Sequence, residues 1–329
     1  MANIAVLGYG TVGSGVVEVI NTNRKNIESK ANDNINIKYV LDLREFPDDP
    51  VQKILTHDFE DIINDDTIDV VVEVMGGTKP AFDFVKRSLE AGKSVCTSNK
   101  ELVAAHGDEL MAIAQENNVN FLFEASVGGG IPIIRPINRS ITSDKILKIM
   151  GILNGTTNYM LTKMSREGLD YGDVLKDAQQ KGYAERNPAA DVEGFDACRK
   201  IAILTSLATG KRVDFNDIPT EGITNIGKKD IEYVNKMGAS IKLLASADLS
   251  TENIWARVAP TIIMQENPLS SVNDVFNAIL LEGNMLGEVM FYGKGAGKLA
   301  TAAAVVSDIV EAIKHKGINL GVNWSKEKQ

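Results

Sequence analysis

The segment VLGYGTVG, residues 6–13, constrains the fold more than any other stretch of the chain. A short β-branched run (NIAVLG, 3–8) meets three glycines and then passes into a helical pattern (GSGVVEVINTN, 13–23). In that strand–turn–helix context, glycines spaced as Gly8-x-Gly10-x-x-Gly13 permit a tight turn, close approach of the backbone to a pyrophosphate, and close helix–strand packing. The helix N-terminus adds oriented N–H groups and the positive end of a dipole. An ordinary strand-to-helix turn is the alternative. The context favours dinucleotide binding through Gly8, Gly10, Thr11, Val12 and Gly13.

The pattern repeats downstream. Strand-like runs at 35–42, 69–75, 93–98 and 119–124 alternate with helical stretches at 81–92 and 107–118. Parallel βαβ units covered on both faces read this way, so we expect an α/β fold with a Rossmann-like, doubly wound parallel sheet. After Glu124 the glycine-rich, proline-marked SVGGGIPIIRP breaks the alternation. A chain of 329 residues exceeds what one core usually sustains. We therefore expect a dinucleotide-binding domain over 1–130, onto which a C-terminal helix at 297–318 packs back, and a second, α+β domain for catalysis and dimerisation over 131–296. In the second part a strand is expected at 145–153, helices at 156–167, 171–182 and 194–208, and strands at 240–249, 254–263 and 285–293. The polar tail NWSKEKQ, 323–329, is expected to fray.

A formal net charge of −9, with no window of Lys and Arg to offset it, argues against nucleic-acid binding and favours a small-molecule partner. Cys96 and Cys198 are the only cysteines, which excludes a disulfide framework and a thiol-rich metal site and fits a reducing compartment. The start MANIAVLGYG lacks the basic segment and long apolar run of a signal peptide, and no apolar run has the length of a membrane span. The expected location is the cytoplasm, with no membrane partner.

An acidic residue at the end of the second strand bonds the adenosine ribose in dinucleotide-binding folds, and Asp42 is the candidate. It lies further along than the usual ~20 residues, a distance the polar stretch NTNRKNIESKANDN (21–34) absorbs. A carboxylate there repels a 2′-phosphate and leans toward NAD over NADP. Arg44 would bind that phosphate if Asp42 turned outward, so both cofactors stay open. Thr97 and Lys100, in TSNK (97–100), stand at the carboxyl end of a sheet strand, where open α/β sheets bind ligands. His57, His106 and His315 form no cluster.

The charges of NPAADVEGFDACRK (187–200) fall where an apolar helix begins. Asp196 and Lys200 are four apart and share a helix face, which by itself describes a surface ion pair of little worth. However, Ile201, Leu204 and Ala208 give the same helix an apolar face, and Glu185 and Asp191 add carboxylates just upstream. A partly desolvated Lys held by a carboxylate can donate a proton near neutral pH.

In chain order, VLGYGTVG, CTSNKELVA, FEASVGGGIPII, GILNGTTNYML, GYAERNPAADVEGFDACRKI and GKGAGKLATAAAVVSDI closely resemble the homoserine dehydrogenase family, over nearly the whole chain. The resemblance implies reversible, nicotinamide-dependent interconversion of L-aspartate 4-semialdehyde and L-homoserine, on the route to threonine, isoleucine and methionine. It implies that Lys200 donates the proton to the carbonyl oxygen, that Lys100 is a second catalytic lysine, and that Asp196 orients Lys200. Glu185 and Asp191 would bind the substrate ammonium, and Gly155, Thr156 and Tyr183 would line the same pocket. Gly297, in GKGAG, would lie nearest the cofactor. EASVGGGI (124–131) would wrap a monovalent cation, Na or K, through backbone oxygens of Val127, Gly129 and Ile131 near Glu124; from the residues alone it reads equally as a glycine-rich hinge. The family is typically a homodimer, with the apolar strands 240–249 and 254–263 and PIIRPINRSI (132–141) as candidate interface.

The chain departs from the family at KLATAAA (298–304), where many relatives carry Gly and Pro, and at Leu41, where many carry Arg before the second-strand Asp. Because it stops at Gln329, we expect no strong threonine inhibition through a C-terminal regulatory module. Two other readings are a semialdehyde dehydrogenase with Cys96 as nucleophile and a non-catalytic NAD(P)-binding sensor. Cys96, between apolar strand positions, reads as a buried thiol.

Overall fold

The computed structural model describes residues 1–322 and 324–328. It divides into two compact units. The first comprises Met1–Ile134 with Ala296–Lys326, and the second comprises Arg135–Gly295 with Glu327 and Lys328.

The first unit carries strands β1 (Ala2–Leu7), β2 (Ile35–Leu41), β3 (Leu55–Thr56), β4 (Ile68–Glu73), β5 (Ser94–Thr97) and β6 (Phe121–Leu122). Its helices are α1 (Thr11–Ala31), α2 (Glu60–Ile63), α3 (Ala81–Glu90) and α4 (Lys100–Glu116). The strands form one parallel sheet in the order β3-β2-β1-β4-β5-β6. Ile4, Ala5, Val6 and Leu7 of β1 are all fully buried, so the central strand is covered on both faces and shows no polar alternation. Strand order reverses beside β1, whose neighbours are β2 and β4. The carboxyl ends of β1 and β4 therefore flank the crevice in which such sheets bind ligands.

The second unit has strands β7 (Ile146–Ile152), β8 (Lys211–Arg212), β9 (Ala239–Asp248), β10 (Trp255–Met264), β11 (Phe276–Gly283) and β12 (Gly287–Lys294). Its helices are α5 (Gly155–Glu167), α6 (Tyr171–Gln180), α7 (Ala189–Val192), α8 (Phe195–Thr209) and α9 (Lys228–Lys236). Five strands form an antiparallel sheet in the order β10-β9-β7-β11-β12. Ile152, Leu244, Ile263, Ala278 and Leu280 bury one face of it with Leu269 and Val272. The chain then returns to the first unit as α10 (Lys298–Lys314), and a short strand, β13 (Ser325–Lys328), follows. Helix α10 lies so close to α1 that a Cβ on Gly15 would sit 2.8 Å from the Lys298 carbonyl oxygen.

Several expectations need correction, among them the start of α4, which is at Lys100 rather than residue 107. Helix α1 kinks at Asn23, where the expected helix ends and where φ −109° and ψ 19° leave the helical range, and a second helical stretch that was not expected runs on to Ala31, where Asn32 ends it in the left-handed conformation; buried Ile27 and Ala31 keep this stretch docked although its other side chains are largely polar. Strand β11 was absent from the sequence reading, as was α9. Strand β12 starts two residues later than expected, after the hairpin turn at Asn284–Leu286. Among the described residues of the tail, Trp324 is anchored rather than frayed. Trp324 is buried with its ring 5.9 Å from that of Phe123, while Asn323 and Gln329 lie outside the described residues.

Candidate functional site

The first turn of the first unit is shaped by its glycines. Gly8 adopts φ +97°, and its N–H bonds the Leu41 carbonyl at 2.7 Å. A side chain on Gly13 would collide with the Gly8 carbonyl, so that glycine is required by helix–strand packing. Gly10, at the N-cap of α1, differs: a Cβ there would meet no protein atom within 4 Å. The space beside Gly10 suits a pyrophosphate approaching the N–H groups of Thr11, Val12 and Gly13. Gly297 is the N-cap of α10 and likewise leaves its Cβ direction open.

Asp42 follows β2 and is turned inward. Its Oδ2 accepts from the Tyr9 N–H at 2.7 Å and from Arg44 Nη2 at 2.9 Å, and its Oδ1 accepts from Arg44 Nε at 2.9 Å. The Arg44 guanidinium, followed by the Tyr9 and Arg44 N–H groups, holds the Asp42 carboxyl well below the usual range against an opposing effect of burial. Arg44 is thus engaged by Asp42 itself. The Tyr9 hydroxyl donates to Asp49 at 3.0 Å, and burial together with that carboxylate pushes it up to about 12.

Thr97, the last residue of β5, is fully buried with its hydroxyl bonded to Glu73 at 2.6 Å. Lys100 opens α4 and is half-buried; Asn99 caps that helix by accepting from the Leu102 N–H at 3.1 Å. Neither Glu73 nor Asn99 was singled out in the sequence, although an Asn directly before a helical pattern is a capping signal.

Around residues 124–131 the chain makes a buried turn. Glu124 Oε1 accepts from the N–H groups of Ile133 and Ile134 at 2.5 and 2.8 Å, while Asp308 Oδ2 accepts from the Glu124 N–H at 2.8 Å. Val127, Gly129 and Ile131 are all buried, and Gly129 takes φ +57°. Two carboxylates, Glu124 and Asp308, are each 2% exposed here. Buried anions beside a turn rich in carbonyl groups are a donor set compatible with a monovalent cation. No cluster of three His, Cys, Asp or Glu side chains occurs among the described residues, so the turn does not resemble a transition-metal site.

The second unit gathers the charges singled out in the sequence around one residue that was missed. Asn154, between β7 and α5, donates from Nδ2 to Asp191 Oδ1 at 2.7 Å and to Asp196 Oδ2 at 2.9 Å. Its Oδ1 accepts from the Thr157 N–H at 2.9 Å and so caps α5. Lys200 donates from Nζ to Asp196 Oδ2 at 2.8 Å and to the Leu153 carbonyl at 2.7 Å. Asp196 is 4% and Lys200 8% exposed, which rules out a solvated surface pair. Gly194 at φ +85° starts α8 and turns Asp196 and Lys200 inward on its first turns.

Gly155 and Thr156 begin α5. A Cβ on Gly155 would sit 2.8 Å from the Val275 carbonyl, and the Thr156 hydroxyl donates to the Tyr183 carbonyl at 2.6 Å. Tyr183 is exposed, with its ring 4.9 Å from that of Tyr159. Glu185 is also exposed; its backbone carbonyl accepts from Gln179 at 3.0 Å. The structure therefore joins Asp191, Asp196 and Lys200 through Asn154 and pairs Thr156 with Tyr183, whereas Glu185 projects from the loop outside that hydrogen-bonded cluster. Cys96 is fully buried within β5, an inert setting for a thiol.

Such an arrangement can bind an ammonium group, hold a lysine in one direction and move a proton. Residues 132–310 match the family model described as homoserine dehydrogenase, and residues 8–124 match that of the homoserine dehydrogenase NAD binding domain. The chain is 43% identical over 322 residues to the homoserine dehydrogenase of Bacillus subtilis (strain 168), covering 97% of this chain and 74% of that protein. It superposes on the crystal structure of a homoserine dehydrogenase from Thiobacillus denitrificans with a TM-score of 0.91 at 38% identity, covering 95% of this chain and 73% of the other. It also superposes on a hyperthermophilic archaeal homoserine dehydrogenase mutant in complex with NADPH with a TM-score of 0.80 at 28% identity, covering 94% and 97%.

Proposed function

The chain belongs to the homoserine dehydrogenase family, whose reaction is the NAD(P)-dependent interconversion of L-aspartate 4-semialdehyde and L-homoserine, and we propose how its own residues divide that work. The nicotinamide, when bound, supplies hydride to the aldehyde carbon or takes it from the alcohol carbon. As hydride arrives the carbonyl oxygen gains negative charge, and Lys200 stabilises that charge and donates the proton; in the reverse direction Lys200 accepts it. An ammonium has three N–H donors, and two of those on Lys200 go to Asp196 and the Leu153 carbonyl, which fixes the direction of Nζ. Lys100 is the second catalytic lysine, on the cofactor-binding unit.

Glu185 and Asp191 bind the substrate ammonium, and Gly155, Thr156 and Tyr183 line the same pocket. The observation that carries this reading is the chain Asp191–Asn154–Asp196–Lys200, buried except at the half-buried Asp191, in which one capping amide donates to both carboxylates and Asp196 in turn pairs with the lysine. Burying such a set is costly unless its members are mutually bonded, and a surface helix has no need of it.

Gly10, Thr11, Val12 and Gly13 would hold the pyrophosphate, and Gly8, Thr97 and Gly297 would complete the cofactor site. Asp42 leans the preference toward NAD, since a carboxylate already pairing Arg44 opposes a 2′-phosphate. A sodium or potassium ion would be held by the carbonyls of Val127, Gly129 and Ile131 with Glu124. The protein works as a cytoplasmic homodimer; the apolar side chains of Trp255, Ile262 and Met264 along the edge strand β10, 47–52% exposed, support an interface there. No helix among the described residues is long and apolar enough to cross a membrane.

The test is oxidation of L-homoserine by the purified protein with NAD and with NADP at alkaline pH, beside Lys200→Ala. Turnover that disappears in the variant while cofactor binding persists supports the assignment. Tight cofactor binding with no turnover by the unmodified protein would return the sensor reading.

A further inference from the structure

Glu73 is the last residue of β4, and its side chain is fully buried. Its Oε1 accepts from the N–H groups of Met75 at 2.9 Å and Gly76 at 3.4 Å, and its Oε2 accepts from the Thr97 hydroxyl at 2.6 Å. The same Thr97 oxygen accepts from the Asn99 N–H at 2.9 Å. Asn99 then donates from Nδ2 to the Gly77 carbonyl at 2.6 Å and, through Oδ1, caps α4, whose first residue is Lys100. One carboxylate thus anchors a closed circuit that joins the turn after β4 to the turn after β5.

Stability alone does not account for this. An apolar side chain of similar volume would fill the space without the desolvation cost of a carboxylate, and burial does push Glu73 above the usual carboxylate range while the donors from Thr97, Met75 and Gly76 oppose that rise. What an apolar residue could not do is hold residues 75–77 and Thr97 in fixed directions. Gly76 and Gly77 both adopt positive φ, at 84° and 70°, and a Cβ on either would meet nothing within 4 Å, so this turn has little packing of its own to order it. The carboxyl ends of β4 and β5 are also where an open α/β sheet receives its ligand.

We propose that Glu73 is a positioning residue for the cofactor end of the active site, locking the 75–77 turn and, through Thr97 and Asn99, the start of the helix that carries Lys100. This inference rests on the dehydrogenase reading. Glu73→Gln replaces one acceptor by a donor facing Thr97, and Thr97→Val removes the bridge without changing shape. We expect each variant to raise the Kd and KM of the preferred nicotinamide cofactor about tenfold or more and to lower kcat, with KM for homoserine within about twofold. Glu73→Asp, which keeps the charge and shortens its reach, should fall between.

The measurements are fluorescence titration with NADH and NADPH, steady-state kinetics of homoserine oxidation, and melting temperature. A lower melting temperature with unchanged cofactor Kd, KM and kcat overturns the proposal, because Glu73 would then serve the fold alone. If Glu73→Gln does not fold, Glu73→Asp decides by the same readouts. An unmodified protein that neither binds cofactor nor turns over homoserine sinks the dehydrogenase reading as well; active unmodified protein with variants equal to it sinks only the role of Glu73.

Discussion

The ammonium of Lys242 lies 3.2 Å from the amide oxygen of Asn158, and the two side chains are 2% and 1% exposed. Lys242 also donates to the Val272 carbonyl and to Asn273 Oδ1, while Asn158 donates from Nδ2 to the carbonyls of Val272, Asp274 and Phe276. Together they pin the 272–276 segment, whose Val275 carbonyl lies against Gly155 at the start of α5.

Burial pushes Lys242 down to about 8, with Arg166 acting in the same direction and Asp274 opposing. Below that pH both folded and unfolded chains hold the proton and the cost of a buried charge is fully felt. Between about 8 and about 10.4 the folded chain releases the proton while the unfolded chain keeps it, so this group's contribution to stability rises with pH. We predict that the stability of the unmodified protein relative to Lys242→Met rises by up to about 3 kcal/mol from about pH 7 to about pH 10.5. Urea unfolding of both proteins across that range checks it, and a pH-independent difference would contradict it.

Loss of Lys200, the proposed proton donor, should appear in kcat. Lys200→Met is expected to lower kcat by about 10²–10⁴, with cofactor Kd unchanged. Asn154→Ala should lower kcat less and also reduce the melting temperature, since it removes the α5 cap and leaves Asp191 and Asp196 short of a donor. Kinetics with cofactor titration separate these outcomes; Lys200→Met with normal kcat would remove Lys200 from the mechanism.

Cofactor preference should follow the Asp42–Arg44 pair. Asp42→Asn removes the repulsive charge and loosens Arg44, so the ratio of kcat/KM for NADP over NAD should rise about tenfold or more. Arg44→Ala in that background should reverse the gain. A ratio that stays put would place the discrimination elsewhere.

Two glycines of one motif should fail in different ways. Gly13→Ala drives a methyl group into the Gly8 carbonyl and should cost stability by about 1–3 kcal/mol or prevent folding. Gly10→Ala meets no protein atom, so its melting temperature should hold while cofactor Kd rises about tenfold. Thermal melts beside fluorescence titration distinguish the two, and an unchanged cofactor Kd in Gly10→Ala would show that Gly10 has no part in binding.

Much of this site was legible because its signals are local. Gly8-x-Gly10-x-x-Gly13 after a β-branched run specifies its own turn, and Asp196 and Lys200 share a helix face by spacing alone. Asn154 was overlooked although it directly precedes the helical GTTNYML, because a capping residue is ordinarily read as local structure; here its amide also reaches residues 37 and 42 positions away. Strand β11 escaped because a strand buried on both faces carries no alternation, and FNAILLEG has none to show. The polar turns of α1 beyond Asn23 lay outside the expected helix since their hydrophobic face narrows to Ile27 and Ala31.

By itself the sequence determined which chemical groups exist and how they are spaced along each helix and strand: a dinucleotide turn, a carboxylate after the second strand, an acid–base pair one helical turn apart. Only the tertiary structure decided whether those groups are in water. The same Asp196 and Lys200 on an exposed helix would be a weak surface pair; covered by the sheet of the second unit and tied to Asn154 and Leu153, they are desolvated and fixed in direction. Burial depends on contacts between residues far apart in the chain, and no local pattern encodes it.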